Sequence, residues 1–207
     1  MIAEAQRILA AYERRQAAAR DSGPFFGHED LAHALRIAER HAALLAMLSR
    51  QGVASLAGRR VLDVGCGRGA FLGRCLEWGA AAAHLAGIDL RAAAVEAARA
   101  RCPGADLRCG DASHLPWPGE TFDLVSQQTV FSSILDPAMR ERVAAEMLRV
   151  LAPGGCLVWY DLRLDNPRNP DVRGIPAAEI RRLFPGCALR LRRITLAPPL
   201  ARRLPGP

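Results

Sequence analysis

One glycine-dense bend and three acids are the places where this sequence could do chemistry. Val61-Leu62-Asp63-Val64-Gly65-Cys66-Gly67-Arg68-Gly69-Ala70-Phe71 reads as a buried strand, a tight turn and the start of a helix. Glycine suits such a turn because a ligand can approach the bare backbone and because positive φ costs it nothing. Two more acids close the next apolar runs, Asp89 in Gly87-Ile88-Asp89-Leu90 and Asp111 in Gly110-Asp111-Ala112. An acid about twenty residues beyond a glycine loop stands where a carboxylate accepts ribose hydroxyls. Asp123, at the start of a further apolar run, reads as structural.

The spacing of the bend separates two ligand classes. Dinucleotide sites use G-x-G-x-x-G and set a pyrophosphate on the following helix N-terminus. Here the spacing is G-x-G-x-G with Asp63 before it. A carboxylate beside the loop repels pyrophosphate and suits a ligand carrying an ammonium and a sulfonium, as S-adenosylmethionine does. With Asp63-Val64-Gly65-Cys66-Gly67-Arg68-Gly69 matching the glycine-rich first motif, the chain resembles the class I S-adenosylmethionine-dependent methyltransferases, of the bacterial type 11-like kind. Leu115-Pro116-Trp117-Pro118 and Phe122-Asp123-Leu124-Val125 are similar to that family's adenine-side motif and fourth strand.

The resemblance implies a cofactor set of Asp63, Gly65, Cys66, Gly67, Gly69, Asp89, Leu90, Asp111, Ala112, Gln127 and Gln128, with S-adenosylhomocysteine as product. Within it, Asp111 is expected to accept from the adenine amino group while Ala112 offers its backbone amide. Gln127 and Gln128, just past the fourth strand, are expected beside the methionine moiety, or bonded to loop backbone instead.

Methyl transfer from sulfonium is an in-line displacement that positioning and desolvation can accelerate without a dedicated base. For a hydroxyl acceptor, Asp161 and His28 are the candidate bases. His28 sits in Phe25-Phe26-Gly27-His28, which could fold over the cofactor, and His114 is expected on the adenine-side loop. The segment from Trp159 to Gly174 is dense in Asn, Pro, Asp and Arg, and Arg163, Asn166, Arg168 and Arg173 are candidates to grip a polar acceptor. O-methylation of a small-molecule natural product or glycan-type acceptor is the leading reading. A nucleic-acid (RNA) methyltransferase stands second, because of the basic tail; Ser126-Gln127-Gln128-Thr129 lacks the Asn-Pro-Pro-Tyr-like tetrad of amino-group methylases, and stacking aromatics are few. A non-catalytic member that binds the cofactor or a protein partner is the third.

The elements that must carry these residues follow from periodicity. Ile2, Ile8, Leu9 and Tyr12, then Leu31, Leu35, Leu45 and Leu48, recur at helical spacing and predict two N-terminal helices broken at Ser22-Gly23-Pro24. From Arg59 onward short apolar runs alternate with helical stretches, the pattern of parallel βαβ units. Strands are predicted over 61–64, 85–90, 106–109, 122–126, 155–161 and 188–196, and helices over 70–78, 92–101, 137–151 and 176–184, with Pro153-Gly154-Gly155 ending the third of these. The expected fold class is therefore α/β: a Rossmann-like three-layer sandwich, a mostly parallel sheet with helices on both faces. Residues 1–56 are expected to form a helical extension or lid and 57–207 the cofactor domain.

The 207 residues suit a core of ordinary size. All 28 basic residues are arginine; up to Asp161 they are balanced 18 to 18 by acids, whereas from Leu162 onward 10 arginines face 3 acids, so the whole net charge of +7 lies there. Six cysteines without a C-x-x-C pair, and no histidine cluster, argue against a metal and for a reduced cytoplasmic protein. No apolar run reaches the roughly 18 residues of a membrane span. The family's sheet has seven strands, and the proline-rich stretch after Leu196 is too short for the last helix and strand. A six-stranded sheet is expected, its exposed side covered in a homodimer.

Overall fold

The computed structural model describes residues 2–21 and 31–194. Five strands form one sheet: β1 (Val61–Val64), β2 (Leu85–Asp89), β3 (Asp106–Cys109), β4 (Phe122–Gln128) and β5 (Leu151–Tyr160). Their order is β3-β2-β1-β4-β5 and every neighbouring pair is parallel. Helices α3 (Ala70–Glu77), α4 (Ala92–Arg101) and α5 (Pro137–Val150) supply the crossovers, α6 (Ala177–Leu183) follows the sheet, and α1 (Ile2–Asp21) and α2 (Leu31–Arg50) precede it.

A parallel sheet covered on both faces needs strands that are apolar throughout rather than alternating. β1 and β2 are buried at every position and apolar apart from Asp63 and Asp89, and Val61, Leu62, Val64, Leu124 and Val125 are at most 1% exposed. Val95 and Ala98 of α4 and Val143, Met147 and Val150 of α5 close the core over them. The α5 start is set by sequence: Asp136 caps it by accepting from Ala138 N–H at 3.0 Å, and Pro137 occupies the first turn, where no N–H is missed. Asp123 is structural, as read, accepting from the Arg60 N–H at 2.8 Å.

Residues 2–16 and 55–188 make one compact unit, which holds the whole sheet; the described residues 17–21, 31–54 and 189–194 belong to a second. Within the second, α2 ends in a turn in which Gly52, at φ 79°, follows Gln51, and the Val53 N–H returns to the Leu48 carbonyl at 3.0 Å.

Two expectations fail. Residues 188–194 form no strand, so the sheet has five strands among the described residues rather than six. The Leu-Arg alternation there has the right period, but period alone makes no strand without a neighbouring backbone to bond. Pro153-Gly154-Gly155 does not terminate α5. That helix ends at Val150, and Leu151 turns directly into extended backbone (φ −74°, ψ 126°). The Pro-Gly-Gly run instead bulges out of β5, where Phe122 pairs with Leu151 and Leu124 already pairs with Cys156.

Candidate functional site

The order β3-β2-β1-β4-β5 reverses direction of travel between β1 and β4, and the carboxyl ends beside such a switch point are where open α/β sheets bind ligands. A cleft, open at its mouth, lies there. Its floor is Gly65 and Gly67. One side wall is Ile88 to Arg91 with Gly110 to Ala112, and the other is Gln128 to Val130 with Ser133 and Ile134. Met139 and Val143 of α5 close the back, and Ile8 and Tyr12 of α1 complete the lining.

The glycines are required by conformation and by space. Gly65, Gly67 and Gly69 all have positive φ, at 70°, 53° and 73°. A Cβ on Gly65 would run into Val130 Cγ2, and one on Gly69 would stand 3.1 Å from the Ala98 Cβ, so these two also seat the loop against the segment after β4 and against α4. Gly67 has only the Arg91 guanidinium near, at 3.5 Å, and faces the cleft. The loop is pinned to β2 by Gly65 and Cys66 N–H groups, both donating to the Ile88 carbonyl at 2.8 and 2.9 Å.

Of the three acids, two reach the cleft. Asp89, 8% exposed, accepts from Gly67 N–H at 2.8 Å and from Arg91 through its backbone N–H and Nε, both at 3.0 Å. Asp111 lines the same wall and turns its loop by accepting from Ser113 N–H at 2.8 Å. Asp63 does not line the cleft; it is buried in β1 at 4% exposure, opposite Gly87 and Ser126. After burial itself, its charge is what pushes the Cys66 and Cys75 thiols upward, which keeps both protonated. Cys66 and Gly69 also lie off the cleft, whereas Leu90 and Ala112 line it, as does Gln128. The Gln128 amide nitrogen is buried at this wall without a hydrogen-bond partner among the described residues, an open donor for a ligand. Gln127 is fully buried and serves the loop: its Oε1 accepts from Val130 N–H at 2.9 Å.

The loop after β4 is held from every side. Thr129 sits at φ 61°, a left-handed conformation rare for a β-branched residue, with its N–H on the Tyr160 carbonyl at 2.7 Å. Asp161 accepts from Ser132 N–H at 3.1 Å, Leu162 N–H at 2.9 Å and Gln127 Nε2 at 3.5 Å. Burial pushes its carboxyl up to about 6 against the pull of those donors. Asp161 is thus under the loop and does not line the cleft. From α1, Glu4 accepts from Leu135 N–H at 2.6 Å and Asp136 N–H at 3.3 Å, and Arg7 donates to the Ser133 carbonyl at 2.5 Å. Burial would raise the Glu4 carboxyl, but Arg7 and the two backbone donors outweigh it and hold it below its usual value. Arg140, 1% exposed, donates to the Ile134 carbonyl and, at 2.9 Å, to Glu179.

The polar segment expected to grip an acceptor is occupied with itself. Arg173 pairs with Glu179 and sends its N–H to the Ser132 carbonyl at 2.9 Å. Asn166 Oδ1 accepts from Arg168 N–H at 3.1 Å, and Asp171 holds Arg14 at 2.8 Å. Arg163, Asn166, Arg168 and Arg173 all lie outside the cleft lining. His28 lies outside the described residues. His114 lies in the loop after β3, outside the cleft lining, its Nδ1 3.1 Å from Ser113 Oγ. No group of three or more His, Cys, Asp or Glu that could hold a metal occurs among the described residues.

Sequence reading missed Ile8, Tyr12, Arg91 and Thr129. Only Arg91 left a signal, a cation two residues beyond an acid that was already singled out.

A family model described as a methyltransferase domain matches residues 61–155. The phthiotriol/phenolphthiotriol dimycocerosates methyltransferase 1 of Mycobacterium ulcerans is 40% identical over 133 residues, covering 60% of this chain and 46% of the relative. The fatty-acid O-methyltransferase of Mycolicibacterium smegmatis is 36% identical over 115 residues, 53% of this chain and 39% of the relative. The chain therefore spans about half the length of the curated relatives it matches or less. Among solved structures, the PH0226 protein of Pyrococcus horikoshii OT3 superposes with a TM-score of 0.60 at 18% identity, covering 77% of this chain and 83% of that one, a likeness of fold.

Proposed function

Since the chain belongs to the class I S-adenosylmethionine-dependent methyltransferase family, we propose that it transfers the methyl group of S-adenosylmethionine to an oxygen of a small-molecule acceptor of natural-product type. The observation that carries this reading is the meeting of Asp89, Asp111 and the bare glycines Gly65 and Gly67 on one cleft at the switch point. The residues fit the cofactor. Asp89 would hold the ribose, Leu90 and Asp111 with Ala112 the adenine, and Gln128 offers the unpartnered donor. When bound, the cofactor supplies an electrophilic methyl group whose sulfur loses its positive charge on transfer.

What this chain's own residues contribute is placement and dryness. Ile8, Ile134, Met139 and Val143 exclude water from the inner cleft, and that apolar wall favours an acceptor with an apolar body over a glycan presented alone. The names of the two mycobacterial relatives, acting on dimycocerosates and on fatty acids, support the same choice. Asp161, lodged beneath Ser132, acts as a positioning residue for the loop, and Arg173 likewise through Glu179. The first turns of α1 serve as a lid whose inner face is Ile8 and Tyr12. Six unpaired cysteines support a reducing, cytoplasmic setting for the reaction. A homodimer across the outer edge of β5, which pairs only with β4 among the described residues, is part of the same proposal.

Calorimetric titration with S-adenosylmethionine, S-adenosylhomocysteine and NAD tests the cofactor half. Binding of the first two and not the third is expected; a preference for NAD would end the reading. Incubation with long-chain hydroxy and carboxylic acids, followed by mass spectrometry for one added methylene, tests the acceptor half.

A further inference from the structure

The Asp89 carboxylate, which the proposed function assigns to the ribose, has its acceptor capacity already filled. A carboxylate offers about four lone-pair sites. Gly67 N–H takes one at 2.8 Å, and Arg91 takes the rest with its backbone N–H and Nε at 3.0 Å and Nη2 at 3.4 Å. The guanidinium is not a passing surface contact. It is 22% exposed, lies over the cleft floor 3.5 Å from where a Gly67 Cβ would be, and is covered from above by the Tyr12 ring, whose centroid is 4.2 Å from its carbon. Asp89, Arg91, Gly67 and Tyr12 all line the same cleft.

We propose that Arg91 is a resident stand-in for the ribose, so that a nucleoside gains Asp89 only by displacing the guanidinium, and that Arg91 thereby sets both the affinity of the site and its demand for a vicinal diol. The backbone bonds of Gly67 and Arg91 to Asp89 can persist when the diol arrives, because main chain held by its neighbours need not move. The two side-chain bonds occupy the cleft side and must go. A ligand without two adjacent hydroxyls cannot replace a two-pronged donor and is rejected. The apparent dissociation constant is then the intrinsic one divided by the fraction of molecules in which Arg91 has swung away. This inference rests on the methyltransferase reading for the identity of the nucleoside.

The test is titration of S-adenosylhomocysteine into the wild-type chain, Arg91→Ala, Arg91→Gln, Asp89→Asn and the Asp89→Asn/Arg91→Ala double variant, each checked for its cooperative melt. Removing the stand-in is expected to tighten binding at least about threefold in both single Arg91 variants. In the Asp89→Asn background the Arg91→Ala gain is expected to vanish. Unchanged or weakened binding in Arg91→Ala and Arg91→Gln would overturn the proposal and make Arg91 a cofactor ligand or a bystander. A gain that survives Asp89→Asn would overturn it too, because the competition would not be for that carboxylate. If the wild-type chain takes neither S-adenosylmethionine nor S-adenosylhomocysteine, the methyltransferase reading itself fails, a result distinct from a wrong sign at Arg91.

Discussion

Adjacent residues decide much of this site, because side chains on a strand point alternately to opposite faces. Gln127 and Gln128 are alike in the sequence, yet one braces the loop and the other opens onto the cleft. Strand-end acids were legible for the same reason: Asp89 closes β2 and Asp111 follows β3, so both reach the rim, whereas Asp63 lies within β1 and is swallowed by the core. Asp161 was legible as a special carboxylate but not as one committed to a loop, since that loop is built from residues some thirty positions earlier. Its carboxyl, raised from 3.8 to about 6, binds a proton more tightly folded than unfolded. Stability from this group is therefore greatest in acid and is lost as pH rises from about 4 to 6. Asp161→Asn should melt higher than wild type by a margin that grows over that window and then levels, as read by melting temperature against pH. Gly65→Ala, strained at φ 70° and driven into Val130, should cost about 2–4 kcal/mol in denaturant titrations. Gly67→Ala, strained but unobstructed, should cost about 1–2 kcal/mol.

Among the elements, α1 shows what periodicity can and cannot give. The spacing of Ile8 and Tyr12 predicts a helix, and the helix forms, but nothing local says that its first turns are tied to the loop after β4. That tie rests on charge: Glu4 bridges Arg7 at 2.8 Å and the N–H groups ahead of α5. Because the Glu4 carboxyl is held below its ordinary 4.5, its contribution is present above that value and fades as pH falls through the lowered one. Glu4→Gln should lose about 1–2 kcal/mol at neutral pH, and the gap to wild type should close in acid, as followed by urea unfolding at several pH values. Arg14→Ala is expected to change almost nothing, since that side chain is 61% exposed. The bulge in β5 was misread for a related reason. Pro153-Gly154-Gly155 carries the signature of a helix stop, and only the tertiary register shows it absorbing three extra residues between paired positions.

For the whole molecule, the parallel pairing of the strands was implied by the alternating βαβ pattern, and their order and the absence of a sixth among the described residues were not. β5 has a neighbour only on its β4 side among the described residues, and its Cys156 to Tyr160 stretch carries no charge to discourage pairing with another chain. Light scattering on the purified chain should give a dimer, and substituting Val158 by Lys should shift it towards monomer; a monomeric wild type would remove the dimer from the proposal. The charge surplus beyond Leu162, by contrast, is partly spent inside the fold, with Arg173 committed to Glu179.

The bond from Glu4 to Leu135 spans 131 positions and ties α1, which carries Ile8 and Tyr12, to the loop after β4. On a ribosome adding about 5–20 residues each second, the first helix is out for several seconds or longer before its anchorage exists. α1 is thus made well before it can settle, and the side of the cleft that Ile8 and Tyr12 supply is finished only after residue 136 has been made. Pulse proteolysis of stalled nascent chains should find α1 cleavable until residues beyond about 136 have cleared the exit tunnel, and protected afterwards.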